Sequence, residues 1–140
     1  MTTTTSALEA IQQLTRERER IVHELSGLGE AELARPAQWG GMQRNVNFLL
    51  RAYSLHELDH LQQMHKLLAA HGRRFSEAQV LLSKAAALRG EVAALLLGLS
   101  DEEFNAPGPD GEWSIRELVQ HLTEVDQTYL GSIRAATATA

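Results

Sequence analysis

The sequence predicts an all-α protein, a four-helix bundle built from two similar helical hairpins within one domain spanning residues 1–140. Three observations carry this reading. Helix starts are marked at Ser6, Ser76 and Ser114, each followed three residues later by Glu9, Gln79 or Glu117, the reciprocal pairing that satisfies the free N–H groups of a first turn. Gly27, Gly72 and Gly98 stand where helices should close, since glycine takes the left-handed conformation of a helix end without strain. Finally, Gly27-Leu28-Gly29-Glu30-Ala31-Glu32-Leu33, followed by Pro36 and Trp39, parallels Gly98-Leu99-Ser100-Asp101-Glu102-Glu103-Phe104, followed by Pro107 and Trp113.

Taken in order, Met1 to Thr5 offers little to bury and is expected to be flexible. The first helix is predicted over Ala7 to Ser26, with an apolar stripe of Leu8, Ile11, Val22 and Leu25. Arg18 falls on that stripe, either snorkelling its charge to water or anchoring an anionic substrate. A short helical turn capped at Gly29 follows, with Leu33 tucked inwards. The second helix is predicted over Arg44 to His71 and presents Val46, Leu50, Tyr53, Leu61, Met64 and Leu68 as one stripe. Its start is the least marked, because Gly40-Gly41 gives a break without an obvious cap.

The third helix is predicted over Glu77 to Leu97. Phe75 before its cap and Val80 within it are placed as a hydrophobic staple, as are Trp113 and Leu118 at the fourth helix. A second short turn is capped at Ser100, with Phe104 inwards. The fourth helix is predicted over Ile115 to Ala135, with a stripe of Ile115, Leu118, Leu122, Val125 and Tyr129, and a flexible Ala/Thr tail at 136–140. β-Structure has almost no support. The two hairpins, about 7–72 and 76–135, are each too small to bury an apolar face alone, so they are expected to dock.

The totals bound the function. The composition is 44% hydrophobic and 22% charged with a formal net charge of −5, and Arg16, Arg18 and Arg20 alternate with Glu17 and Glu19. No basic face is left for nucleic acid, and aromatic residues are too few to stack on bases. The absence of cysteine excludes disulfides, thiolate ligands and a protein thiol nucleophile, so any metal is held by nitrogen and oxygen. No apolar run approaches the roughly 20 residues needed to span a bilayer, and the first residues lack the pattern of a signal peptide. A cytoplasmic protein with no membrane partner is the expectation.

The chemistry concentrates at His56-Glu57-Leu58-Asp59-His60. Two imidazoles four residues apart stand one above the other on a helix, a ready clamp for a metal. His60 lies within the apolar stripe, His56 at its edge and Glu57 near its centre. Three ionisable groups in one turn of an apolar face are costly unless metal, water or partners satisfy them. They either bind a metal or line a wet groove or subunit interface.

His121 flanks the stripe of the fourth helix. If the two hairpins face each other, His56, His60 and His121 converge, and three neutral imidazoles around zinc or nickel leave a coordination position open for water or substrate. The alternative for His121 is a partly exposed histidine bonded to Glu117 or Glu124. His23 points away from its stripe and His65 away from His56, both towards solvent, while His71 suits the negative end of a helix dipole. Glu57 is a candidate fourth ligand, an orienting group for a ligand, or the catalytic general base.

Trp113-Ser114-Ile115-Arg116-Glu117-Leu118-Val119-Gln120-His121-Leu122 resembles the tryptophan-to-histidine signature of the DinB/YfiT-like superfamily. His56-Glu57-Leu58-Asp59-His60-Leu61-Gln62-Gln63 resembles that family's paired histidines followed by glutamine. With the Gly-Leu-Ser-Asp-Glu-Glu-Phe segment, the similarity covers most of the chain. It implies a four-helix bundle, often dimeric, with a three-histidine site for a divalent metal such as zinc or nickel, the lone histidine mapping to His121 and the pair to His56 and His60.

The activities it implies are thiol transfer with a low-molecular-weight thiol such as bacillithiol or mycothiol, maleylpyruvate isomerisation, or hydrolysis, on a small-molecule substrate. A non-catalytic dimerising bundle with a structural histidine patch is the alternative. In the family the single histidine usually precedes the pair. Here the pair comes first, so the chain resembles a member with its halves exchanged, and approximate symmetry between the hairpins would preserve the ring of ligands.

Overall fold

A computed structural model describes residues 6–138. The elements in chain order are α1 (Ala7–Leu25), α2 (Glu30–Leu33), β1 (Pro36–Trp39), β2 (Met42–Asn45), α3 (Val46–Ala70), α4 (Glu77–Leu97), α5 (Asp101–Asn105), a 3₁₀ turn (Pro109–Gly111) and α6 (Ile115–Thr137). The all-α class read from the sequence is the class observed.

Local chemistry sets the helix starts. Ser6, Ser100 and Ser114 each accept from the N–H three residues on, while Glu9, Glu103 and Glu117 accept from the cap's own N–H, closing reciprocal caps. Ser76 and Gln79 make the same exchange. These bonds hold the glutamates charged: acceptance from the cap's backbone N–H, then from its hydroxyl, lowers the pKa of Glu9, Glu103 and Glu117.

Three expectations are corrected. The segment between α2 and α3 is a β-hairpin: Pro36 pairs with Asn45 and Trp39 with Met42, antiparallel, around Gly40-Gly41. Both glycines take positive φ, 54° and 79°, the left-handed pair that a tight two-residue turn requires. Secondly, α3 begins at Val46 rather than Arg44, because Asn45 ends the strand and caps the helix, its side chain accepting from Phe48 N–H at 2.8 Å. Thirdly, α6 continues through Thr137, so the first residues of the supposed flexible tail are helical. The flexibility expected of residues 1–5 and of 139–140 falls outside the described residues.

The chain forms two compact units, residues 1–97 and 98–140. In the first, α1 packs on α4, and α3 packs on α2 and the hairpin, whose base is closed by Val46 N–H donating to Arg35 O at 3.0 Å. In the second, α5 packs on α6. Leu33 and Phe104, expected to tuck inwards, are half-buried. Among the described residues no apolar side chain is fully buried, and the stripe residues Leu61 and Met64 of α3 are 50% and 54% exposed. No described helix is long and apolar enough to cross a membrane.

Candidate metal centre

The helical spacing of α3 sets the histidine pair. With Asn45 and the hairpin clamping its first turn, α3 carries His56 and His60 on successive turns, as their spacing requires. Their Nε2 atoms lie 3.1 Å apart, with ring centroids 4.4 Å apart and planes at 88°. His60 Nδ1 lies 2.9 Å from Gln63 Oε1, and the tautomer that bonds there carries its proton on Nδ1 and leaves the Nε2 lone pair free for a metal. Gln63 ends the segment that carries the family resemblance, one turn beyond His60.

Glu57 is held on the α1 side. Its Oε2 accepts from Arg18 Nη2 at 2.6 Å, while Arg18 Nε donates to Tyr53 Oη at 2.9 Å and the guanidinium lies 4.7 Å from the Tyr53 ring centre. Burial works against the Arg18 charge, but its bonds to Glu57 and Tyr53 outweigh that and raise its pKa. Arg18 therefore neither simply snorkels nor stands free for an anion; it ties α1 to α3. His56 also lines a cavity of about 350 Å³ with Ile21, Leu25, Trp39, Leu50 and Tyr53. Trp39 reaches this cavity because the hairpin carries it there, a placement that follows from the unexpected strands.

In the second unit, His121 projects from the second turn of α6, its ring 4.9 Å from that of Trp113 at 62°. The carboxylates considered as its partners are engaged otherwise: Glu117 accepts from Ser114, and Glu124 from Gln120 at 3.0 Å. The tryptophan ring against His121 was not foreseen, though both belong to the segment that carries the resemblance. Among the minor histidines, His23 Nδ1 lies 3.3 Å from Leu97 O, His65 packs edge-on to Phe75, and His71 is the C-cap of α3. Among the described residues, no three or more His, Asp or Glu side chains are gathered closely enough to hold an ion; the histidines brought together are His56 and His60.

Two family models match the chain. The model described as the DinB superfamily matches residues 1–64, which include His56 and His60, and that of the mycothiol maleylpyruvate isomerase N-terminal domain, itself DinB-like, matches residues 85–140, which include His121. The chain belongs to the DinB-like superfamily. No curated protein and no solved structure matches it.

Two nitrogens of this DinB-like chain, on His56 and His60, stand close enough to share one ion. With its proton on Nδ1, His60 offers a bare Nε2, and a neutral His56 in the same form turns a second lone pair towards the same point.

Proposed function

We propose that this DinB-like chain is a divalent-metal-dependent enzyme of the thiol-transferase or hydrolase type, with His56, His60 and His121 as the ligands of its ion. The observation that carries the reading is the pair of Nε2 atoms 3.1 Å apart, with Gln63 Oε1 2.9 Å from His60 Nδ1. The family match named for a mycothiol-dependent isomerase favours a low-molecular-weight thiol as cosubstrate, and imidazole donors favour zinc or nickel. Such an ion lowers the pKa of a bound water or thiol and so supplies a nucleophile near neutral pH.

The chain's own groups supply the rest of the site. Gln63 orients His60. Glu57 is the candidate proton acceptor, its carboxylate fixed by Arg18 one residue from His56. The cavity lined by Trp39, Leu50 and Tyr53 offers an apolar surface to part of a small substrate. Thermal denaturation with and without zinc or nickel tests the reading: an ion bound only to the folded chain raises Tm, and chelation reverses the rise. An unchanged Tm would leave the histidine patch as part of a non-catalytic dimerising bundle.

A further inference from the structure

The cavity beside His56 gathers rings in a chain that has few. Trp39 comes to it on β1, and Tyr53 and His56, one turn apart on α3, share a face. The chain has two tryptophans and two tyrosines, so one of each stands at this single site. Ile21 and Leu25 of α1 and Leu50 of α3 supply aliphatic surface, and all six residues lie within the first compact unit.

Charge and size narrow what fits. No Asp, Glu, Lys or Arg lines the cavity. Arg18 bonds Tyr53 Oη, but its charge is met by Glu57 Oε2 at 2.6 Å, so it leaves no free cation for an anionic ligand. A charged group taken in there goes unpaired, which is costly. Rings pack offset or edge-to-face on other rings and gain beyond the area they bury, whereas a saturated body gains from burial alone. An apolar cavity of about 150 Å³ takes up benzene; at about 350 Å³ this one has room for two fused rings.

We propose that the body of the substrate is an uncharged aromatic system of one or two fused rings, held between Trp39 and Tyr53 beside His56. The proposal rests on the reading of the chain as a metal-dependent enzyme, because His56 is both a wall of the cavity and a proposed ligand of the ion. It gives Trp39 a part in substrate choice: the hairpin carries that ring to the site, so the turn at Gly40-Gly41 bears on specificity.

Heteronuclear NMR of the Trp113→Phe chain, with a chelator present, tests it, because the one indole N–H left belongs to Trp39. At about pH 8 both a histidine and a naphthol are uncharged. 2-Naphthol is expected to shift the Trp39 signal saturably, together with the backbone amides of Leu50 and Tyr53. Decahydro-2-naphthol, its saturated equivalent, is expected to bind about two- to tenfold more weakly, the worth of ring-to-ring contact beyond burial. 2-Naphthoate, which brings a charge, is expected to bind about tenfold or more weakly. No saturable shift with 2-naphthol, or equal binding of either analogue, overturns the proposal. The titration contains no metal, so the two readings fail separately. If zinc leaves Tm unchanged while 2-naphthol binds, the metal reading falls and the ring site stands; if zinc raises Tm and 2-naphthol does not bind, the ring site alone falls.

Discussion

His60 Nδ1 lies 2.9 Å from Gln63 Oε1, a contact that favours the tautomer offering Nε2 to an ion. Replacing Gln63 with leucine removes the acceptor and frees both the tautomer and the ring. Zinc affinity, measured by competition with a chelating dye, should fall about 10- to 100-fold. Unchanged affinity would remove Gln63 from the site.

Arg18 joins α1 to α3 through Glu57 and Tyr53, but its side chain is 43% exposed and that of Glu57 is 64% exposed. Water screens such a pair, so Arg18→Met should cost less than about 1 kcal/mol in urea unfolding. Its larger effect should fall on the orientation of Glu57: if Glu57 is the proton acceptor, turnover should drop while metal content stays the same.

Ser114 begins α6 and is 6% exposed, the one buried polar side chain among the described residues. Ser114→Ala should destabilise the protein by about 1 kcal/mol. The cap also predicts a pH dependence. Glu117 has a lowered folded pKa, through the Ser114 backbone N–H first and the hydroxyl second. Its contribution is therefore present above the ordinary carboxylate range and is lost as pH falls through the lowered value. Urea midpoints measured from pH 7 downwards should fall less steeply in Glu117→Gln than in the wild type; parallel curves would contradict this.

Gly40 and Gly41 hold positive φ with open space where a Cβ would point, so substitution there costs backbone strain rather than a clash. Gly41→Ala should destabilise the hairpin by about 1 kcal/mol or more. Because the hairpin carries Trp39 to the cavity beside His56, its fluorescence should shift in a Trp113→Phe background. A spectrum identical to that of the background would show that Trp39 does not depend on the turn.

The helices were legible because their ends are written in side chains: Ser6 with Glu9 and Ser114 with Glu117 announce themselves at fixed spacing. The hairpin was not. Its strands are four residues each, too short for alternation to register, and the Gly40-Gly41 turn reads equally well as a break. Missing the strands hid Asn45 as the cap of α3 and Trp39 as a cavity wall. At the site, the spacing of His56 and His60 gave their contact directly, because a helix fixes neighbours four apart. The Arg18–Glu57 pair joins residues 39 positions apart, a contact that no helical spacing announces.

His56, His60 and His121 are the proposed ligands of one ion, and metal stoichiometry tests that proposal most directly. Protein purified without chelator and loaded with zinc should hold one tightly bound ion per chain by elemental analysis after desalting. His121→Ala should lose it, whereas His65→Ala, altering a histidine packed on Phe75, should retain it. No bound ion in the wild type, or full occupancy in His121→Ala, would contradict the account.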